Sequence, residues 1–199
     1  MGVSYPPEPW DLHGQAAASV FLVPASDLPA PPPGTRLVTL RGRAVATAAF
    51  FRYEEPSPLT YDEIMVTALV RRGLRPRVWI PWIWVDSEAS RDGGRALWAI
   101  PKDLATFLVR PGAMHVGEGL GRLDLLRLRD LPGRWPLRFR VVQERDGRSV
   151  VTPVGGTLRV QLARGRWSFD GVLSFLSGRR PLLTVRARRF RLLFGRPTR

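Results

Sequence analysis

The sequence has no cysteine, two histidines and a single lysine in 199 residues. Without cysteine there can be no disulfide framework and no thiolate chemistry. His13 and His115 are too few for a histidine-rich metal centre, and no metal and no cofactor are expected. No apolar run is long enough to cross a bilayer as a helix. The start, Met1-Gly2-Val3-Ser4-Tyr5-Pro6, lacks the basic residues and apolar core of a secretory signal. These absences point to a cytoplasmic protein with no membrane partner.

The shortage of lysine is the most informative. Lys102 stands alone beside 30 arginines. Where a fixed positive charge suffices, this chain uses arginine, whose guanidinium keeps its proton in proteins. A lysine amine can lose its proton when desolvated and attack a carbonyl. The other explanation is chance survival in an arginine-biased sequence. The neighbourhood, Gly93-Gly94-Arg95-Ala96-Leu97-Trp98-Ala99-Ile100-Pro101-Lys102-Asp103, favours chemistry.

A net charge of +14 admits a nucleic-acid partner in principle. The arginines, however, are spread from Arg36 to Arg199 and alternate with apolar residues, as in Arg138-Phe139-Arg140-Val141. That pattern is the wet face of strands, and the tryptophans are not interleaved with it as stacking platforms. No nucleic-acid partner is expected; a small acidic substrate drawn in by the field is compatible.

One domain over 1–199 is expected from length. Strands are predicted at 17–23, within 38–51, at 61–71, 78–85, 123–128, 137–143, 157–162 and 183–194. Asp146-Gly147 marks a hairpin before Val150-Val151, and Gly155-Gly156 reads as a further turn. Residues 168–175 fit a short helix or a loop. Pro81 places a bulge or an edge in the apolar run Val-Trp-Ile-Pro-Trp-Ile-Trp-Val. Asp86-Ser87 can cap a helix from about 87 to 98, with Glu88 in its first turn. Gly93-Gly94 within that helix suits a close approach by another backbone. Pro101 stops it, and a second helical turn through 107 is expected. Many strands with one or two short helices make the fold class mainly β (α+β), an antiparallel sheet curled into a barrel or cone with a helix packed against it.

For Lys102 to act, its amine must be neutral near pH 7, against an ordinary value of about 10.4. Burial lowers that value by destabilising the ammonium. Trp79, Trp82, Ile83 and Trp84 upstream, with Trp98 and Ile100 nearby, offer apolar walls. A strand turns only alternate side chains to one wall, so at least half of these tryptophans are expected simply to fill the core.

Asp86-Ser87-Glu88, Gly94-Arg95 and Pro101-Lys102 together resemble the central signature of acetoacetate decarboxylase-like proteins. Tyr61-Asp62-Glu63 matches their Tyr-x-Glu pattern, and Tyr5-Pro6-Pro7 with Pro9-Trp10 is similar to the start of many members. The resemblance implies a conical antiparallel β-barrel, Schiff-base chemistry on a keto acid or related carbonyl compound, and a homo-oligomer. By it, Lys102 matches the Schiff-base lysine and Glu63 its acid/base or electrostatic partner. Arg95 reads as structural. Gln15, Tyr61, Trp82, Trp84 and Trp98 are the expected substrate-binding residues. Two positions depart from the pattern. Asp103 follows Lys102 where acetoacetate decarboxylase has a second lysine, and His13 and Gln15 occupy the region of an expected carboxylate-binding arginine. Decarboxylation, or aldolase or dehydratase chemistry that keeps the lysine, is implied. The alternative from another class is a non-catalytic barrel binding an apolar small ligand.

Overall fold

The computed structural model describes residues 4–110, 113–116 and 120–198. Residues 1–3 and 199, the ends of the expected single domain, and the start Met1-Gly2-Val3 lie outside the described residues.

Strand β1 (Trp10–Pro24) pairs with β4 (Arg43–Glu54), which pairs with β5 (Tyr61–Arg72), which pairs with β6 (Arg75–Val85). Two short strands, β2 (Arg36–Leu37) and β3 (Thr39–Leu40), flank this meander. Helix α1 (Glu88–Trp98) follows, then β7 (Lys102–Leu104), β8 (Phe107–Arg110), β9 (Ala113–Val116), β10 (Gly121–Asp130), β11 (Trp135–Arg145), β12 (Arg148–Phe169) and β13 (Leu183–Phe194). The sheet runs β11-β6-β5-β4-β1-β13-β12, and β12 pairs back onto β11, so seven strands close into a ring. The closure uses a parallel seam of only two residue pairs, Val141 with Val78 and Val142 with Trp79, in an otherwise antiparallel ring. The far half of β12 leaves the ring to carry β10, β9 and β8.

Period-two alternation gives the ring two apolar faces. One cluster holds Trp10, Leu12, Tyr53, Tyr61, Ile80, Ile83 and Trp98. The other holds Phe21, Phe50, Ile64, Val66, Trp79 and Phe169, and the short 3₁₀ turn Gly171–Leu176 packs on it through Leu173 and Leu176. That turn resolves the choice left open over 168–175.

Two expectations are corrected. Gly155 and Gly156 lie inside β12 rather than in a turn. A Cβ on Gly156 would sit 1.9 Å from the Arg191 carbonyl oxygen, so glycine here lets β13 come close. After Pro101 the chain forms β7, not a second helical turn, because residues 102–104 pair in parallel with Ile83–Val85.

Helix α1 is capped as its sequence indicates. The Ser87 side chain accepts the Ser90 N–H at 3.2 Å, and Glu88 occupies the first turn. Asp86 does other work: its carboxylate accepts the Asp62 backbone N–H at 2.8 Å and ties the helix start to β5. Ala99 ends the helix in the left-handed region at φ 57°. Arg145 on β11 donates to the Ala96 carbonyl at 2.6 Å, satisfying an end of the helix that would otherwise need water.

The glycine pair in α1 makes room for side chains, not for another backbone. A Cβ on Gly93 would lie 2.9 Å from the buried Trp10 indole. Gly93→Ala gains about 1 kcal/mol of helix propensity and loses about 1–3 kcal/mol to overpacking. The variant should therefore denature at lower urea concentration than the parent, and an unchanged midpoint would refute this account of the pair.

Candidate active site

The inward face of the meander brings together residues distant in sequence. Tyr61 and Glu63 project inward from β5, Tyr53 from β4, and Lys102 from β7, whose first residue sits beside Ile83 of β6. Ser90 comes from the first turns of α1. Lys102 is 4% exposed and Glu63 1%. The Lys102 amine donates to Glu63 Oε2 at 2.8 Å, to Ser90 Oγ at 2.9 Å and to the Tyr61 hydroxyl at 3.3 Å. An ammonium has three donors, and all three are used. Tyr53 donates to the other Glu63 oxygen at 2.9 Å. Gly94 faces the lysine stem: a Cβ there would lie 2.7 Å from Lys102 Cδ.

A hollow of about 40 Å³ adjoins the pair, walled by Trp10, Leu12, Met65, Ile83, Trp98 and Phe194 among others. It has room for a few waters, well short of the several hundred Å³ of a drug-sized pocket. Trp98 is fixed by its N–H to the Gly195 carbonyl at 2.9 Å and by edge contacts with Trp10 and Phe194, ring centres 4.8 Å apart in each case.

The charge state of the amine differs from the sequence expectation. Burial alone pulls the Lys102 value down, but Glu63 and Tyr61 beside it outweigh burial, and the net direction is up. Burial and the Glu63 charge push Tyr53 well above the ordinary phenol value, so it stays a hydrogen-bond donor. In this arrangement Lys102 rests as an ammonium paired to Glu63.

Of the expected site residues, Lys102, Glu63, Tyr61 and Trp98 meet at the hollow. Gln15, Trp82 and Trp84 do not line it. In β1, Trp10 and Leu12 face inward, which turns Gln15 outward, where it donates to Glu54 at 2.8 Å and accepts from Arg186 at 2.9 Å. In β6, Trp79 pairs with Ala68 and Trp82 with Val66, so Ile80 and Pro81 together oppose one residue of β5. This bulge, at the proline, resets the alternation. Ile80 and Ile83 then face the lysine, while Trp79, Trp82 and Trp84 join the other cluster, with Trp82 against Phe175 at 5.2 Å. Asp103, next to Lys102, faces away and pairs with Arg95, which is the structural role read for that arginine.

Ser90 and Tyr53 were not singled out from sequence. Ser90 lies three residues after its own cap Ser87, a spacing that places it on the first turn but does not say which face. Tyr53 pairs directly with Tyr61 across β4 and β5, a signal available only once the register is known.

Comparison with known proteins gives a consistent class. The family model described as acetoacetate decarboxylase (ADC) matches residues 32–126. An acetoacetate decarboxylase from Legionella pneumophila shares the fold at TM-score 0.70 and 16% identity, over 99% of this chain and 90% of that one. The enduracididine biosynthesis enzyme MppR complexed with pyruvate aligns at TM-score 0.63 and 18% identity, over 98% and 91%. An acetoacetate decarboxylase-like enzyme from Sphingomonas wittichii aligns at TM-score 0.60 and 17% identity, over 98% of each chain. No curated protein matches in sequence. The chain resembles acetoacetate decarboxylase over the matched segment and shares the fold of acetoacetate decarboxylase-like enzymes.

Two variants test the geometry. Glu63→Gln removes the main influence raising the amine and leaves burial opposed by Tyr61 alone, so Lys102 should titrate at lower pH than in the parent, read by NMR of the reductively ¹³C-methylated amine. A resonance titrating as in the parent would show that Glu63 does not set the proton affinity. Because Lys102 is raised in the folded state, the stability it contributes is present below the unfolded amine's pKa. That stability is lost as pH rises through the folded value, and alkaline unfolding of Glu63→Gln should lack this component. Gly94→Ala, by displacing the lysine stem, should lower the rate of Lys102 modification by carbonyl reagents at least about tenfold, the equivalent of roughly 1.4 kcal/mol. An unchanged rate in a folded variant would contradict the contact.

Proposed function

We propose that this chain is a lysine-dependent, Schiff-base-forming lyase acting on a small keto acid or related carbonyl compound. The observation that carries the proposal is a buried lysine amine 2.8 Å from a buried glutamate and open to a hollow. The fold and the matched segment support it, since proteins of this class include decarboxylases and MppR-type enzymes.

In the proposed reaction the resting ammonium passes a proton to Glu63, which the 2.8 Å contact allows without movement. The freed amine attacks the substrate carbonyl carbon and forms a carbinolamine. Glu63 returns the proton to the departing hydroxyl, water leaves, and an iminium on Lys102 remains. That cation draws electrons from an adjacent bond, releasing carbon dioxide, a proton or a carbon fragment. Tyr53 stays protonated and stabilises the Glu63 carboxylate in the steps where it carries charge. Tyr61 and Ser90 hold the nitrogen, and Trp98 fixes one wall. The small hollow favours a short substrate, or one that displaces the flexible Met65.

The ammonium-favouring pair supports a second reading, a non-catalytic barrel that holds an apolar ligand against Trp98 and Phe194. A cytoplasmic homo-oligomer belongs to the main proposal; the exposed Leu126, Leu162, Leu182 and Leu183 around one surface hollow support assembly.

Borohydride reduction with pyruvate or acetoacetate should leave a covalent adduct on Lys102, seen as an intact-mass increase mapped to that residue. Lys102→Arg keeps the charge and should form none. An unchanged mass in the parent at saturating carbonyl would defeat the enzyme reading, and ligand binding retained in Lys102→Arg would then favour the binder.

A further inference from the structure

The parallel seam that closes the ring is two residue pairs long, and beyond it β6 and β11 separate. Residues 75–77 and 135–140 flank a cleft of about 850 Å³. Its apolar surface comes from Leu69, Val78, Phe139 and Val154, and Gly155 and Gly156 form part of a wall without side chains. Arg75, Arg77, Arg138 and Arg140 also line it. Among the described residues, none of these four lies within ion-pair distance of a carboxylate. Among the described residues, the cleft shares no lining residue with the hollow at Lys102.

We propose that this seam is a binding cleft for an amphiphilic organic anion, a carboxylate or phosphate carried on an apolar chain. Arginines scattered on a surface need no explanation, but four around one apolar cleft without counter-ions repel one another. Burial, and then the charges of Arg140, Arg75 and Arg72, pull the Arg77 guanidinium below its ordinary value. An anion seated among them removes that repulsion and gains charge-assisted hydrogen bonds from planar forks matched to carboxylate and phosphate. The apolar surface beside the charges, with Phe139 half-buried in it, fits a chain attached to the anionic head. An extended polyanion would leave that surface unused. A free inorganic ion would do the same.

The test is calorimetric titration of the full chain with octyl phosphate below its micelle concentration, with octanoate, and with inorganic phosphate. No carbonyl is present, so the outcome is separable from Schiff-base chemistry at Lys102. One octyl phosphate or octanoate should bind per chain, and the tighter of the two identifies a doubly or singly charged head. Arg77→Gln and the more exposed Arg140→Gln should each weaken binding about tenfold, the size of one lost charge-assisted hydrogen bond. Phe139→Ala should weaken the octyl probes while leaving inorganic phosphate unchanged. Arg166→Gln, in the separate hollow beside Trp167, should have no effect. Parent-like binding in both arginine variants overturns the proposal, as does inorganic phosphate binding as tightly as octyl phosphate, or no probe binding. A parent oligomer that dissociates in Arg140→Gln would assign the seam to a second copy instead.

Discussion

The constraint on which the rest of the structure depends is the buried pair of Lys102 and Glu63. Removing two charges from water costs several kcal/mol each, and only close contact with further hydrogen bonds offsets that cost. The barrel supplies them from four elements: Tyr53 on β4, Tyr61 on β5, Ser90 on α1, and the lysine on β7. Among the described residues, the buried side-chain atom left without a partner is Gln161 Oε1, which is not at this site. Much of the local fold serves the same end. Asp86 pins the helix start to β5, Arg145 satisfies the helix end, and Gly94 leaves the volume through which the lysine stem passes.

The pair also changes what burial does. Desolvation by itself favours the neutral amine, and the apolar residues near Lys102 in sequence imply that state. The neighbouring carboxylate reverses the balance. Burial and a partner are opposed influences on one nitrogen, and which prevails depends on a distance that sequence does not state. With the net direction up, the resting proton stays on the Lys102 amine.

How much could be read from sequence follows from which residues obey local rules. The strands and the helix were legible because alternation, the Ser87 cap and the Asp146-Gly147 hairpin are local signals. Lys102 and Glu63 were legible through the lone lysine and the family-like spacing. Trp82 and Trp84 do not line the hollow because the bulge at Pro81 changes phase in mid-strand, sending them to the opposite face from Ile80, which plain alternation would have put beside them. The proline was a visible sign of a bulge, but its effect on phase needed the partner strand. Gln15 faced outward by the same alternation that was used elsewhere, counted from Trp10 and Leu12. Tyr53 and Ser90 reach the lysine only through cross-strand register and helix docking, neither of which is a property of a short stretch.

The same alternation bears on substrate. Asp103 points away from the hollow because it follows an inward residue on a strand, so the position after the lysine cannot tune the amine by contact. Among the described residues no arginine lines the hollow, and the outward Gln15 already bonds Glu54 and Arg186. A substrate carboxylate entering there would meet Lys102 as its one cation and Glu63 as a like charge. In the proposed reaction, once Lys102 is held as an iminium, that carboxylate would have an electron acceptor beside it and no other compensating charge, and losing carbon dioxide would relieve the conflict. A substrate whose reacting part carries only a carbonyl and a hydroxyl avoids the conflict altogether, which suits aldolase or dehydratase chemistry. Under the proposed Schiff-base reading, the hollow would accept an acid chiefly as something to be decarboxylated, and would otherwise select for an uncharged carbonyl at the reacting end.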